Sequence, residues 1–213
     1  MVENLRPPQV KQILLNITTR VMQAKDDLNN MDSACGDGDF GTTMTISFSS
    51  ARKQLDELVS NDIGTMLLTT GQAILSSAGG AAGPIFGSLF IEAGKVAKGQ
   101  DEVGLADLAR MFGASLNRIK RQGGATVGDK TVVDALEPAL SAMQEDVTRH
   151  TSLSQGLKNA ASAARTGCES TKAIVARHGK ARYLGEQTLG YVDPGAHVIA
   201  VIFEEFAKSQ ETE

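Results

Sequence analysis

The sequence has no tryptophan, only two cysteines and few aromatic residues, and each of these scarcities argues against a class of protein or binding site. Aromatic residues make up 4% of the 213 residues, which leaves few flat side chains on which bases or sugars could stack. Cys35 and Cys168 are too few for a disulfide scaffold, and such sparse cysteine use is typical of a reducing compartment. We therefore expect a cytoplasmic protein.

The chain also has no excess of positive charge. The chain carries 21 lysines and arginines against 25 aspartates and glutamates, for a net charge of −4 at pH 7. Because binding to a nucleic-acid backbone depends on clustered lysine and arginine, we expect no nucleic-acid partner. The first ten residues lack the basic start and apolar core that are typical of a secretion signal.

Charge is absent from one long segment, residues 63–91, whose length would span a bilayer. The segment contains six glycines and Pro84, which would break a spanning helix near its middle. We interpret it as two buried helices joined by a glycine-rich loop, and we expect no membrane partner.

Apolar residues recur at steps of three and four along most of the chain, as they do on one face of a helix. Strands and helices do not alternate, so the pattern predicts an all-α fold with antiparallel neighbours, formed as one domain over residues 1–213. The strand-like run 197–203 follows a helix-start signal at Asp193-Pro194 and is interpreted as helical. Asp62 and Pro84 give two further start signals. The spacing predicts about eight helices, over residues 8–29, 41–59, 62–77, 84–98, 104–120, 131–147, 153–176 and 194–208.

Acidic residues and glycines alternate in the segment 32–44. Asp32, Asp37 and Asp39 lie within eight residues, and such close like charges repel unless a cation or protons neutralise them. Hard divalent ions prefer carboxylate oxygens, and glycines let a loop curl so that several oxygens converge. A helix starting near Gly41 would offer an anion its free N–H groups. The segment therefore predicts a phosphate–Mg²⁺ site, with a solvated acidic turn capped by Asp39 as the alternative.

Three further loops carry glycines or basic residues. Residues 76–84 would allow either close approach of a ligand or tight helix packing. Residues 123–131 resemble a Walker A loop, but Asp129 separates the glycine from Lys130 and no strand precedes it, so Asp129 is equally expected to cap the next helix. In residues 180–196, Lys180 and Arg182 could neutralise a polyphosphate or simply form a basic loop.

The remaining reactive side chains give no catalytic pattern. His150, His178 and His197 share no metal-ligand spacing, so we expect surface or capping roles. Carboxylates around Cys35 would raise its pKa, which argues against a thiolate nucleophile. Cys168 lies on an apolar helix face and is expected in the core.

Taken in order, five motifs resemble one known family. They are Asp32-x4-Asp37-x-Asp39-x-Gly41, the Gly-Gly-Ala-Ala-Gly-Pro run at 79–84, Gly-Asp-Lys-Thr at 128–131, Tyr-Leu-Gly-Glu at 183–186 and Asp-Pro-Gly-Ala at 193–196. Over about residues 5–208, the pattern is similar to that of the nucleotide-binding L subunit of bacterial dihydroxyacetone kinase.

The resemblance implies a barrel of eight antiparallel helices with ADP or ATP at one end. It implies two Mg²⁺ ions held by Asp32, Asp37 and Asp39, and no catalytic side chain on this chain. The positions that match the family's nucleotide contacts are Phe40, Gly41, Thr42, Thr43, Ala81, Ala82, Gly123, Val132, Lys180, Asp193, Pro194 and Gly195.

The sequence departs from the family pattern at several of these positions. Many members have His at Phe40, a hydroxyl residue at Ala82, Met at Val132 and Arg at Lys180. A lysine offers a phosphate a point charge where an arginine offers a two-pronged contact. These departures bear on how firmly the nucleotide is held.

The resemblance also implies a function. The L subunit transfers the γ-phosphate of the nucleotide to dihydroxyacetone, which is bound covalently to a histidine of a separate K subunit. ADP would stay bound and be rephosphorylated in place by a phosphohistidine M subunit of the phosphotransferase system. The enzyme would then be a phosphoenolpyruvate-dependent kinase of glycerol metabolism that acts on an alcohol group.

Alternatives stay open at this point. ATP from solution could exchange in each cycle, and the ketose could be a tetrulose; an L chain without a fused K portion favours the resident ADP. The chain could instead sense nucleotide state and contact a transcription regulator, or carry a lipid inside the helical barrel. We expect a homodimer or a hetero-oligomer.

Overall fold

The computed structural model describes residues 3–210, and most of them are helical. Within that part of the chain there is no strand, only an isolated bridge between Leu5 and Val103. Two 3₁₀ helices, Thr171–Ala173 and Lys180–Thr188, precede the last α-helix. The prediction of an all-α fold is confirmed. The α-helices are α1 (Pro7–Gln23), α2 (Lys25–Ser33), α3 (Phe40–Glu57), α4 (Ile63–Ser77), α5 (Ala82–Val96), α6 (Leu105–Gly123), α7 (Val133–Thr148), α8 (Leu153–Ser170) and α9 (Pro194–Lys208).

Eight of these helices close a ring. From α3 to α9 each helix packs against the next, and α1 packs against both α9 and α3. The remaining helix, α2, packs mainly on α3. The predicted barrel of about eight antiparallel helices is confirmed, and its ends are formed by the connecting loops.

Aromatic side chains fill part of the core between the helices. The ring centroids of Phe48 lie 6.4 Å from Phe86 and 6.3 Å from Phe90. The ring of Phe112 lies 4.6 Å from Phe203 and 5.7 Å from Phe206. All six side chains are buried, so most of the few aromatic residues of this chain lie in the core.

Helices α4 and α5 approach each other through glycines. A Cβ atom at Gly64 would lie 2.5 Å from the Cα atom of Lys98, and one at Gly94 would lie 2.8 Å from the backbone nitrogen of Leu68. Because the two backbones lie this close, only glycine fits at these positions. The charge-free segment therefore contributes to two packed, buried helices, as predicted. In the part of the chain that the structure describes, no helix is long and apolar enough to cross a membrane.

Several helix boundaries differ from the predictions, and three of the differences bear on the site or the core. The predicted helix 8–29 divides at Ala24, where ψ is 8°, and no glycine or proline announces this break. The predicted helix 153–176 gives way at Thr171 to a 3₁₀ turn, because Thr171 accepts a hydrogen bond from the backbone of Asp193. Helix α5 begins at Ala82, two residues before Pro84.

Two helix-start predictions are confirmed. The carboxylate of Asp62 accepts hydrogen bonds from the backbone of Gly64 and Thr65 at the start of α4. Asp193 accepts from Ala196 and is followed by Pro194 as the first residue of α9, so the run 197–203 is helical.

Candidate functional site

One end of the barrel opens into a pocket of about 620 Å³. It is lined by residues of all four loops that the sequence singled out, because the turns after α2, before α5, between α6 and α7, and before α9 meet there. We call residues 174–192 the strap. It connects the 3₁₀ turn that follows α8 to the start of α9, and it contributes His178 and Lys180 to the lining. The four weak motifs therefore form one site.

The three aspartates of segment 32–39, the acidic loop, converge at the rim of this pocket. One carboxylate oxygen from each of Asp32, Asp37 and Asp39 lies within 4.8 Å of the others. Asp32 is half-buried, whereas Asp37 and Asp39 are exposed. A cluster of carboxylate oxygens at this spacing is a donor set that suits Mg²⁺. The residues present therefore fit a divalent ion.

Asp32 also fixes the shape of the acidic loop. Its Oδ2 atom accepts hydrogen bonds from the backbone N–H groups of Gly38 at 2.9 Å, Asp39 at 3.1 Å and Phe40 at 3.2 Å. Burial raises the pKa of Asp32, and these N–H donors oppose that shift. Gly38 adopts a left-handed φ of 77°, which allows the tight curl. Asp39 occupies the position before α3, but its side chain makes no cap bond to the helix.

Lys180 connects the strap to the acidic loop. Its Nζ atom forms an ion pair with a carboxylate oxygen of Asp37, although the two residues are 143 positions apart. The ammonium holds the pKa of Asp37 below its ordinary value, and Asp37 raises the pKa of Lys180. Both side chains are exposed, so water can replace either partner. A cation thus already neutralises the cluster from one side.

All but two of the predicted nucleotide positions line the pocket. The exceptions are Gly41 and Thr42, which face α2. A Cβ atom at Gly41 would lie 2.0 Å from the carbonyl oxygen of Lys25, and the backbone of Thr42 donates to Asn29. Packing against α2 therefore accounts for these two residue types, and their contact with a nucleotide stays a prediction. The positions that line the pocket are Phe40, Thr43, Ala81, Ala82, Gly123, Val132, Lys180, Asp193, Pro194 and Gly195.

The start of α9 closes one side of the pocket. The Asp193 carboxylate accepts a hydrogen bond from the backbone of Ala196 at 2.7 Å. Burial raises the pKa of this carboxyl to about 7, against the lowering effects of the Ala196 N–H and of Lys130. A Cβ atom at Gly195 would lie 2.8 Å from a methyl carbon of Val132, so glycine lets the two loops touch.

The loop between α6 and α7 differs from its prediction. Asp129 does not cap α7; Asp134, inside the first turn, accepts from the backbone of Gly128 at 2.6 Å and of Thr131 at 2.7 Å. Asp129 instead accepts from the backbone of Thr126 at 2.8 Å and lies 3.3 Å from the Nε2 atom of His178 in the strap. These two carboxylates hold the loop before α7, whereas Val132, the residue before the helix, makes no side-chain cap bond.

Among the pocket residues that sequence reasoning did not assign to the site, two have basic side chains. Lys130 is buried and lines the pocket, and its ammonium donates to the carbonyl of Thr171 at 2.6 Å. His178 is half-buried beside Asp129. The resemblance of residues 123–131 to a Walker A loop pointed to Lys130 as a pocket residue. The absence of a preceding strand argued against that interpretation. His150 is exposed, in agreement with the expected surface role, and His197 is half-buried.

Neither cysteine offers a thiolate. Cys35 is buried and lines the pocket, and its pKa is raised, as expected, although burial contributes more than the neighbouring carboxylates. Cys168 lies in the core, where burial raises its pKa to about 11. Both thiols are free.

Comparison with known proteins places these features in one family. The model of the DAK2 domain matches residues 34–208. The PEP-dependent dihydroxyacetone kinase 2, ADP-binding subunit DhaL, of Listeria innocua serovar 6a is 34% identical over 92% of this chain and 94% of its own length. The corresponding ADP-binding subunit DhaL of Escherichia coli strain K12 is 34% identical over 84% of this chain and 86% of its own length.

A solved structure shows the same fold. The dihydroxyacetone kinase of C. freundii, crystallised with AMP-PNP and Mg²⁺, matches with a TM-score of 0.74 at 27% identity. The match covers 98% of this chain and 35% of that chain, so the present chain spans about a third of the larger protein.

Proposed function

The chain belongs to the DAK2 domain family, which includes the ADP-binding DhaL subunits, and we propose that it is the nucleotide-binding subunit of a dihydroxyacetone kinase. One observation carries the proposal: three carboxylates meet within 4.8 Å at the rim of a pocket of about 620 Å³. A divalent ion at the rim and a nucleotide in the pocket would account for both features. The relatives named as ADP-binding subunits and the structure with AMP-PNP and Mg²⁺ support this proposal.

Asp32, Asp37 and Asp39 would hold Mg²⁺, as two ions by the family resemblance. Bound there, Mg²⁺ would neutralise phosphate charge and align the terminal phosphoryl group. Asp32 keeps the loop curled through its backbone hydrogen bonds, and Lys180 brings a further positive charge to the same rim. Phosphoryl transfer depends mainly on positioning and charge neutralisation, so no nucleophile is required from this chain.

The deeper pocket suits a base. Phe86, Ile119 and Val132 give it apolar surface, and the small residues Ala81 and Ala82 leave room for close approach. Apolar walls with a few polar groups are the usual lining of a small-molecule site. We assign the base to this part and the diphosphate to the acidic rim.

We further propose that ADP is a resident cofactor. A phosphohistidine M subunit of the phosphotransferase system would rephosphorylate it in place, and the γ-phosphate would pass to dihydroxyacetone held by a separate K subunit. The names of these relatives describe PEP-dependent kinases with an ADP-binding subunit, and both features support a resident ADP that is rephosphorylated at the expense of phosphoenolpyruvate. The cytoplasmic location, the role in glycerol metabolism and the assembly as a homodimer or hetero-oligomer remain parts of this proposal.

The experiment combines the purified chain with a K subunit and dihydroxyacetone, and supplies either phosphorylated M subunit or ATP. Mass analysis first measures ADP carried through gel filtration. Retained ADP, with triose phosphate formed only when K and phosphorylated M are both present, is the expected result. Turnover that depends on free ATP would establish the exchangeable mechanism instead, and retained nucleotide without any transfer would favour a sensor that contacts a transcription regulator.

A further inference from the structure

Lys130 combines three features that rarely occur together. It is buried, with 3% of its surface exposed, it is charged, and its φ of 61° lies in the left-handed region. A side chain seldom adopts this backbone conformation, which glycine or asparagine accepts more easily. The hydrogen bonds that Asp134 accepts from Gly128 and Thr131, on either side of Lys130, hold the backbone in place.

The ammonium of Lys130 ties together the two ends of the strap. It donates to the carbonyl of Thr171, just before the strap, at 2.6 Å, and to the carbonyl of Tyr191, near its end. The backbone of Gly190 also donates to the carbonyl of Lys172 at 2.8 Å, close to the same point. The two ends of the strap therefore lie together, and Lys130 binds both of them. We call this region, where residues 171–176 meet residues 188–191, the base of the strap.

The middle of the strap depends on this base for its position. From there it reaches the pocket rim, where Lys180 meets Asp37, and the loop before α7, where the backbone of Arg177 donates to the carbonyl of Asp129 at 3.2 Å. Lys180 and Arg177 are exposed, and exposed ion pairs hold a loop only weakly. The buried contacts at the base are the stronger restraint.

A lysine suits this position for a chemical reason. An ammonium has three N–H donors, so it can serve two carbonyls and leave one donor on the side where Lys130 lines the pocket. The titratable groups facing it are Asp193, Asp134 and Cys35. A neutral, shorter side chain would lose the bond to the Tyr191 carbonyl and would leave the Thr171 carbonyl only its bond from the backbone of Ile174 at 3.2 Å. Losing two hydrogen bonds from a charged donor is costly.

We propose that Lys130 is a positioning residue that clamps both ends of the strap, holds Lys180 at the pocket rim and so determines how long a nucleotide stays bound. The part of this inference that concerns nucleotide rests on the proposed function. The clamp itself is a property of the chain without any ligand, so the two can be tested separately.

The experiment measures hydrogen exchange and ADP release in Lys130→Asn. Asparagine tolerates the left-handed backbone but is too short to reach both carbonyls. Amides in residues 174–190 are expected to exchange about tenfold faster without nucleotide, with α4 and α6 unchanged, and Mg·ADP to dissociate about tenfold faster. Lys130→Arg, which can still donate to both carbonyls, should restore most of the slow exchange.

Lys172→Met serves as the matched control, because Lys172 is an exposed lysine next to the strap whose side chain pairs with Glu169. It should leave exchange and ADP release unchanged. Faster ADP release in Lys130→Asn with an unchanged strap would mean direct ligand contact and would overturn the clamp. Equal acceleration in all helices would mean a general loss of stability and would also overturn it.

The wild-type protein gives a test that needs no variant to fold. The amides of Ala176 and Gly190 donate to Thr188 and Lys172 at the strap base, and they should exchange as slowly as those of α7. Fast exchange at both would contradict the clamp. If wild type shows slow exchange at the base but binds no Mg·ADP, the proposed function fails while the clamp stands.

Discussion

The two walls of the pocket hold charge in opposite ways. On the acidic loop, Asp37 and Asp39 are exposed, and their neighbours in the cluster are close in sequence. On the opposite wall, Lys130 is buried and its partners lie 41 and 61 residues away, and the Asp193 carboxyl is desolvated. The exposed carboxylates can exchange one counter-ion for another. The hydrogen bonds of the buried wall, in contrast, form within the chain itself and keep their partners.

The largest effect is expected from the exposed wall. Asp37→Ala removes one of three clustered carboxylates, so the affinity for Mg·ADP should fall about a hundredfold. The free energy of unfolding should change little, because an exposed ion pair such as that of Asp37 with Lys180 contributes little to stability. Calorimetry of binding and urea unfolding measure the two quantities.

Asp101→Ala is the matched control, since Asp101 is an exposed aspartate on the loop between α5 and α6. It should bind Mg·ADP as wild type does. Unchanged affinity in Asp37→Ala would refute the metal assignment, and loss of the helical fold would instead make the acidic loop a structural element.

The buried wall predicts a pH effect on stability. The pKa of Asp193 is about 7 in the folded chain and about 3.9 for an unfolded aspartate. Between these values the folded state binds a proton that the unfolded state lacks. This contribution to stability is complete below about pH 4 and is lost as the pH rises through about 7.

Asp193→Asn should remove this dependence, because an amide can still accept from the Ala196 N–H but does not ionise. Between pH 5 and pH 8, the stability of the variant relative to wild type should rise by about 1–3 kcal/mol. Urea unfolding of both proteins without nucleotide gives the difference. A difference that does not vary with pH would show that the Asp193 carboxyl is solvated like those of the acidic loop.

The smallest effect tests whether the exposed wall exchanges cations. Lys180→Met removes the ammonium that pairs with Asp37, so Mn²⁺ alone should bind about threefold more tightly at low salt. The gain should vanish at high salt, where exposed charges are screened. Paramagnetic resonance of free Mn²⁺ measures it, with Lys172→Met as control. Weaker Mn²⁺ binding in Lys180→Met would contradict a competition between ammonium and metal.

The same contrast explains how far sequence reasoning could go. The acidic loop was predictable because its three carboxylates lie within eight residues and glycines separate them. The pair α4 and α5 was predictable because its absence of charge and its glycines are local features. The order of five motifs then indicated that distant loops meet. Four of these motifs contribute residues to the pocket, whereas residues 183–186 do not line it.

The buried wall could not be predicted in this way. The partners of Lys130 are backbone carbonyls, which carry no sequence signature, and a lysine gives no hint of a left-handed φ. The cap of α7 was assigned to Asp129 from its place before the helix, whereas its carboxylate binds the backbone of Thr126 and α7 has no side-chain cap bond from the residue before it. The break at Ala24 has no glycine or proline to mark it.

A crystal structure of the chain grown with Mg²⁺ and ADP tests the central claim most directly. The account predicts metal density about 2.1 Å from oxygens of Asp32, Asp37 and Asp39 and in contact with the diphosphate. A nucleotide bound in the pocket while these carboxylates face bulk water, with no metal between them and the phosphates, would contradict it.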